Sequence, residues 1–236
     1  MKRLVLTAFA LLLIVMQMTG CGGSDSAESA DQVAVQEDLQ DETEGDTQDD
    51  ETSEGKVLVA YFTRIGNTDS GFPEGVDATT SASLQQTDDG IKGNAQMIAE
   101  WIADETGGDL FAIESEELYP ADYNETVEKA SKDQNAKTRP ALTKHVDNMD
   151  QYEKVVLVFP NWWSDLPMPV YSFFDEYDLS GKEIVVYATH EGSRFSDTVS
   201  TISELEPDAT VTEGMSVRGG EVSESEQAVR DSLKAK

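Results

Sequence analysis

The sequence is poor in the residues that build disulfide scaffolds and metal centres, with one cysteine and two histidines in 236 residues. One cysteine cannot form a disulfide within the chain, and two histidines far apart in sequence do not make a zinc cluster, so no metal site is expected. Basic residues are also scarce, because 17 Lys and Arg face 47 Asp and Glu and leave a formal net charge of −30. Such an acidic surface repels phosphate backbones, so no nucleic-acid partner is expected.

Three common motifs of nucleotide binding and hydrolysis are missing as well. No G-x-G-x-x-G follows the first predicted strand, and the sequence contains no G-x-S-x-G. Gly66 and Gly71 have the spacing of a phosphate loop, but Phe72 stands where that motif needs a lysine. These absences argue against a dinucleotide site after the first strand, a hydrolase nucleophile and a P-loop.

Residues 1–20 have the features of a secretory signal peptide. A basic start is followed by the apolar run Leu4–Met18, which is shorter than the about 20 residues that span a bilayer. Met18-Thr19-Gly20-Cys21 resembles a bacterial lipobox, in which the cysteine is lipidated and becomes the mature N-terminus. The alternative is an ordinary thiol near a standard cleavage site. We expect lipidation at Cys21 and an anchor on the extracytoplasmic face of the cell membrane.

Residues 21–55 are predicted to be a disordered acidic tether behind the lipidated cysteine. Gly22–Gly55 contains 13 acidic residues, no basic residue and few large apolar ones. Low hydrophobicity with charge of one sign cannot offset the entropy lost on ordering. The tether is therefore expected to hold the domain at residues 56–236 away from the membrane.

Residues 56–236 carry the alternating strands and helices of one α/β domain. Three continuous apolar runs, Val57–Phe62, Val155–Phe159 and Ile184–Ala188, are typical of strands that are covered on both faces. Leu110–Ile113 and Thr210–Met215 are weaker strand candidates that suit the sheet edges. This pattern predicts a doubly wound five-stranded parallel sheet in the order 2-1-3-4-5, with helices on both faces.

Helical patterns lie between these runs. Apolar residues recur with helical spacing from Met97, and Gly107-Gly108 is expected to end that helix. Pro167–Tyr177 predicts a second helix, since prolines are tolerated in a first turn. Ser223–Glu226 has the pattern of a capping box that opens a short final helix.

Ligands of such sheets bind beyond the carboxyl ends of the strands, so three loops are the candidates for a site. The first, Thr63–Thr68, has small hydroxyl and amide residues with one glycine, which lets backbone N–H groups converge on an anion. The other two, Pro160–Pro167 and Thr189–Phe195, could close on a flat aromatic ring. The residues identify no catalytic group.

The same segments resemble one known family. Val57–Thr68 is similar to the opening of flavodoxins, and Phe159–Trp163 with Leu166–Pro169 resembles the flavin loop of a bacterial branch of that family. Thr189–Ser193 resembles the second flavin loop, which is usually richer in glycine. The resemblance implies a flavodoxin-like fold with non-covalent FMN, its phosphate in the first loop and its ring between the other two.

The chain departs from that pattern at residues 69–90, which look like a loop insertion after the phosphate loop. Gly93-Asn94 then repeats Gly66-Asn67 just before the predicted helix, so either copy could hold the phosphate, and Thr63–Ile65 with Asn94–Gln96 is favoured. The candidate cofactor-binding residues are therefore Thr63, Arg64, Ile65, Asn67, Asn94, Ala95, Gln96, Pro160, Asn161, Trp162, Trp163, Ser164, Thr189, His190, Glu191, Gly192, Ser193 and Phe195.

Four of these candidates have a structural alternative. Trp162 and Trp163 either form a stacking wall, or one lies in the core and the other only covers it. His190 is either a ligand-binding residue or a hydrogen-bonded scaffold residue at a strand end. Arg64 either binds the phosphate or is a solvated loop cation.

The expected function is electron transfer by a membrane-anchored, extracytoplasmic FMN protein with an unidentified redox partner. One alternative is a two-electron FMN-dependent reductase of quinone-like acceptors. In flavodoxins, a peptide that flips beside flavin N5 stabilises the one-electron radical, and this flip is easiest where glycine allows positive φ. Trp162–Asp165 contains no glycine, so the radical is expected to be less stable, and this favours two-electron chemistry. Another alternative is a non-redox binding lipoprotein on the same fold.

Replacement of Cys21 by serine is expected to release the protein from the membrane fraction, because the thiol that would carry the acyl chains is lost. Fractionation of cells that express the parent and the Cys21→Ser variant measures this. Unchanged retention of the variant, with its signal removed, would refute lipidation.

Overall fold

The computed structural model describes residues 55–69, 71–72 and 82–234. The predicted signal peptide, Cys21 and the tether up to residue 54 lie outside these ranges, and so does most of 69–81. Within them, no helix has the length and apolar character needed to cross a bilayer.

Strands and helices alternate along the described part of the chain. The strands are β1 Lys56–Tyr61, β2 Leu84–Thr87, β3 Gly90–Gly93, β4 Asp109–Ala112, β5 Tyr152–Pro160, β6 Glu183–His190 and β7 Thr210–Arg218. The helices are α1 Asn94–Thr106, α2 Tyr123–Ala136, α3 Met168–Glu176, α4 Thr198–Leu205 and α5 Glu226–Lys234.

The main sheet has five parallel strands in the order β4-β1-β5-β6-β7. Without the separate β2–β3 hairpin, this is the order 2-1-3-4-5 predicted from the apolar runs. Both faces are covered, since Val155 and Leu157 of β5 lie in one core with residues of α2, α3 and α4, and Val156 and Val158 lie in the other with residues of α1 and α5. The predicted fold class is confirmed.

Two of the predicted helix boundaries are also confirmed. Helix α1 ends at Thr106, where Gly107 takes a left-handed φ of 66°, and α3 begins directly after Pro167. The capping box is wrong, because Ser223 lies in a 3-10 turn over Gly219–Glu224 and the final helix begins only at Glu226.

Two further helices, α2 and α4, leave little trace in the apolar pattern. Helix α2 buries only Thr126 and Ala130, and α4 buries only Thr198 and Ile202. A helix that contributes so few apolar residues to a core shows no clear 3.6-residue period.

Part of the predicted loop insertion is regular structure. Strands β2 and β3 pair antiparallel, with Leu84 opposite Gly93 and Thr87 opposite Gly90, so residues 84–90 belong to a hairpin outside the main sheet. Gly90 has a φ of 113°, which a residue without a Cβ adopts at no steric cost.

The buried side chain of Asn67 joins the loop after β1 to the end of β4. Its Nδ2 donates to the carbonyl oxygens of Thr63 and Ile113, both at 2.9 Å. Its Oδ1 accepts from the backbone N–H of Ser115 at 2.9 Å and from the Ser115 hydroxyl at 3.3 Å. Asn67 therefore fixes where the first candidate loop lies.

Replacement of Asn67 by alanine is expected to lower the free energy of unfolding by about 2–4 kcal/mol, because buried backbone groups lose their partners. Urea unfolding of both proteins measures this. Asn135→Ala is the control, since its amide donates to Ser131 O on an exposed helix surface. A loss for Asn67→Ala no larger than for this control would contradict the assignment.

Candidate functional site

The loops after β1, β5 and β6 meet at the carboxyl edge of the sheet and enclose a pocket of about 370 Å³. Backbone hydrogen bonds hold the starts of these loops together: Phe62 N donates to Val158 O at 2.9 Å, and Asn161 N donates to Thr189 O at 2.8 Å. The pocket is lined by Arg64, Ala82, Ser83, Asn161, Trp162, Trp163, Glu191 and Ser193, and on the α2 side by Tyr123, Thr126, Val127 and Ala130.

Arg64 is a buried cation at the pocket wall, with 2% of its surface exposed. Its Nη2 donates to the carbonyl oxygens of Pro120 and Ala121 and to the Thr126 hydroxyl, at 2.8–3.1 Å. Its Nε is buried and has no hydrogen-bond partner in the described structure. Burial lowers the pKa of Arg64, and Asp122 opposes this. The residue is thus not a solvated loop cation, and its Nε–H lacks an acceptor that an anion could supply.

The start of α1 lies against the first loop. A Cβ at Gly93 would overlap the side chain of Thr63, so the residue directly before α1 is in contact with the first loop. The first turn of α1 contains no acidic residue and no side-chain cap, and this favours an anion at the helix N-terminus. Gln96 directs its amide away, to Glu100 Oε1 at 2.8 Å.

The two Gly-Asn copies have different places in this arrangement. The amide groups of Asn67 serve the scaffold, as described above. Asn94 N donates to Ser83 O at 3.0 Å, and its Nδ2 donates to Ala82 O at 3.1 Å. Asn94 and Ala95 are fully buried. Only the second copy therefore begins a helix, and it also ties the segment before β2 to that helix.

Asn161 connects the second and third loops. Its Nδ2 donates to Arg194 O at 2.9 Å and to Ser196 Oγ at 3.1 Å, across residues that have positive φ. Its Oδ1 is buried at the pocket and has no hydrogen-bond partner among the described groups. This oxygen lacks a donor that a ligand N–H could supply.

The adjacent tryptophans have different environments. Trp162 packs edge-on against Phe62 and Tyr119, with ring centroids 5.3 and 5.1 Å away, and its Nε1 donates to Ser83 Oγ at 3.0 Å. Trp163 is 55% exposed and lines the pocket. One indole thus belongs mainly to the core, and the other offers an aromatic face to a planar ligand.

Trp163 and Ser164 form the centre of a two-residue turn. Trp162 and Asp165 exchange backbone hydrogen bonds of 3.1 and 3.0 Å, and φ is 56° at Trp163 and 62° at Ser164. Such turns prefer Asn and Gly, and a non-glycine residue in the left-handed region costs roughly 1–2 kcal/mol. The turn therefore adopts the positive φ that glycine adopts most easily, although tryptophan and serine occupy these two positions.

His190 and Thr189 hold the end of β6. His190 Nδ1 accepts from Gly192 N at 2.8 Å, and burial, followed by Arg194, lowers the pKa of His190. Thr189 is buried and its hydroxyl donates to Ala82 O. His190 is thus a neutral residue that shapes the loop, while Glu191 and Ser193 beyond it reach the pocket.

The pocket lining does not include the remaining candidates, which are Thr63, Ile65, Asn67, Asn94, Ala95, Gln96, Pro160, Ser164, Thr189, His190, Gly192 and Phe195. Pro160 is buried at the end of β5, and Phe195 packs against the main core. Ser164 is exposed in the turn. No group of three His, Cys, Asp or Glu side chains in the described ranges is placed to hold a metal ion.

The sequence did not identify the wall formed by α2 or the contribution of Ala82 and Ser83. Tyr123 is 47% exposed at this wall. The exposed Tyr123 beside Thr126 and Val127 indicates a binding site only once α2 is known to face the loops.

Comparison with known proteins gives the family. The family model described as flavodoxin matches residues 87–232, which is more than half of the chain. This match confirms the sequence resemblance and supports FMN as the cofactor. No curated protein matches the chain significantly.

Several solved structures are similar. A provisionally assigned flavoprotein from Bacteroides eggerthii DSM 20697 is 26% identical, with a TM-score of 0.56 over 77% of this chain and 97% of that one. Another from Bacteroides uniformis ATCC 8492 is 23% identical, with a TM-score of 0.57 over 76% and 98%. A flavoprotein in complex with FMN from Lactobacillus acidophilus NCFM is 20% identical, with a TM-score of 0.49 over 72% and 97%. From its sheet order and the matched family model, this chain belongs to the flavodoxin family.

Proposed function

We propose that this protein binds FMN non-covalently in the pocket at the carboxyl edge of the sheet and transfers electrons with it. The observation that carries the proposal is the exposed indole of Trp163 beside two buried polar atoms without partners in the described structure, Arg64 Nε and Asn161 Oδ1. FMN offers a flat ring, a phosphate that accepts hydrogen bonds and a ring N–H that donates one, so these groups fit it.

Each part of the pocket has a defined task. FMN, when bound, supplies the redox chemistry. Arg64 and the N-terminus of α1 would hold its phosphate, and Asn161 Oδ1 and the face of Trp163 would orient its ring. The indole would also keep water from one face of the ring.

The acidic surface is expected to affect the redox potential. Residues 56–236 contain 34 acidic and 15 basic residues. Negative charge nearby disfavours an additional negative charge in the pocket, so the reduced cofactor is destabilised and the potential is lowered.

The site of action proposed for this protein is the extracytoplasmic face of the cell membrane, with the acyl chains on Cys21 as the anchor. The lipobox-like sequence and the acidic segment that follows it support this location. The redox partner would then meet the domain outside the cytoplasm.

A second candidate function is two-electron reduction of quinone-like acceptors. It is favoured by the α2 side of the pocket, where the exposed Tyr123 and the apolar Val127 add an apolar wall to the lining. A planar acceptor could bind against this wall.

Replacement of Trp163 by alanine is expected to weaken FMN binding by about 5- to 150-fold, because the loss of a base–aromatic contact costs about 1–3 kcal/mol. Titration of FMN into apoprotein, followed by flavin and indole fluorescence, measures this. Trp101→Phe on α1 is the control and keeps the parent affinity.

Equal affinity of Trp163→Ala and the parent would refute the stacking role. A parent that purifies colourless and does not bind added FMN would refute the flavin function itself and would favour the non-redox binding lipoprotein.

Carrier and reductase differ in how they are reduced by a nicotinamide. As a carrier, the holoprotein is expected to react slowly with NADH or NADPH alone, because a carrier takes its electrons from a redox partner. Stopped-flow absorbance at the oxidised flavin band measures the rate. Fast reduction followed by rapid reoxidation by a soluble quinone would favour the reductase.

A further inference from the structure

The turn at Trp162–Asp165 keeps a backbone conformation that its own residues do not favour. Both central residues have positive φ and neither is glycine. Such a geometry persists only where surrounding contacts impose it. The contacts that impose it here are therefore of functional interest, since the turn presents Trp163 to the pocket.

The carboxylate of Asp165 collects three hydrogen bonds at the end of this turn. Its Oδ1 accepts from the hydroxyl of Tyr171 at 2.7 Å and from the backbone N–H of Leu166 at 2.8 Å. Its Oδ2 accepts from Gln134 Nε2 at 3.1 Å. Since Tyr171 lies on α3 and Gln134 on α2, the carboxylate connects the turn to two separate helices.

Tyr171 is itself held in place. The guanidinium carbon of Arg139 lies 4.3 Å from the centre of its ring, and Arg139 Nε pairs with Asp175 at 2.9 Å. Burial and the bond to Asp165 raise the pKa of Tyr171, so its hydroxyl stays protonated and donates to the carboxylate. Hydrogen bonds to a charged acceptor are stronger than neutral ones.

We propose that Tyr171 is a positioning residue of the flavin site, which acts through Asp165 to hold the Trp162–Asp165 turn and thus the indole of Trp163 at the pocket. The identity of the ligand as FMN rests on the proposed function. Without the Tyr171 hydroxyl, the turn relaxes part of the time and Trp163 leaves its place. The apparent affinity for the ligand falls in proportion to the fraction of molecules that keep the turn in its binding-competent conformation.

The test compares Tyr171→Phe with Tyr177→Phe. Both variants lose one tyrosine hydroxyl near α3, but the hydroxyl of Tyr177 accepts from Val146 N at 2.7 Å, away from the turn. Tyr171→Phe is expected to weaken FMN binding about tenfold, and Tyr177→Phe is expected to keep the parent affinity. Equal affinities of the two variants would overturn the proposal.

Glycine at position 164 separates positioning from a general loss of stability. Ser164→Gly removes the cost of positive φ at that residue, so the turn needs less support. In the Ser164→Gly background, Tyr171→Phe should therefore weaken FMN binding by less than about threefold. A full tenfold effect in both backgrounds would mean that Tyr171 does not act through the turn and would overturn the proposal.

A readout on the apoprotein makes the test independent of flavin. In a Trp101→Phe background, time-resolved anisotropy of indole emission reports the motion of Trp162 and Trp163. Subtraction of the signal of the Trp163→Phe variant then isolates the motion of Trp163. Tyr171→Phe is expected to add a fast local motion of Trp163 that Tyr177→Phe lacks, and unchanged anisotropy would overturn the proposal. If even the parent fails to bind FMN, the proposed function fails, while anisotropy still decides the positioning role.

Gln134→Ala provides a second variant if Tyr171→Phe does not fold. It removes the other helix contact of Asp165 from a half-exposed position, so the fold is expected to tolerate it. The same increase in Trp163 motion is expected, and its absence would contradict the role of Asp165 as the connection.

Discussion

Three buried asparagine side chains hold the loops at the carboxyl edge of the sheet, and the geometry of the pocket depends on them. Asn67 joins the loop after β1 to the end of β4, Asn94 joins the start of α1 to Ala82 and Ser83, and Asn161 joins the loop after β5 to the loop after β6. An amide carries both donors and an acceptor, so one side chain can satisfy backbone groups of two different segments without introducing charge. The loops of this edge are therefore fixed by hydrogen bonds, while apolar burial fixes the strands beneath them.

The difference between hydrogen-bonded loops and apolar strands explains where a ligand can bind. Strands β5 and β6 are almost entirely buried, so the sheet faces have no room for polar chemistry. At the carboxyl edge the asparagines satisfy several backbone groups, but Asn161 Oδ1 and Arg64 Nε have no partner in the described structure. Buried polar atoms of this kind carry a desolvation cost that a bound ligand can remove. Two of these unsatisfied groups thus belong to residues that line the pocket together with Trp163.

The sequence predicted the sheet well because burial on both faces leaves a direct trace, as in the run Val155–Phe159. It predicted the three loops because their position follows from the sheet order. It did not predict α2, which buries only Thr126 and Ala130, or the hairpin at residues 84–93. Arg64 could not be assigned either, since its partners Pro120, Ala121 and Thr126 lie 56 to 62 residues away along the chain. Contacts of that range depend on the folded topology, and short sequence patterns do not contain them.

The central claim is that this edge of the sheet is a flavin site with Trp163 at the ring. A crystal structure of the FMN complex tests it most directly. The account predicts the ring plane in van der Waals contact with the indole of Trp163, a ring N–H donating to Asn161 Oδ1, and the phosphate beside Arg64 and the first turn of α1. A ring bound elsewhere, or a phosphate remote from both Arg64 and α1, would contradict it.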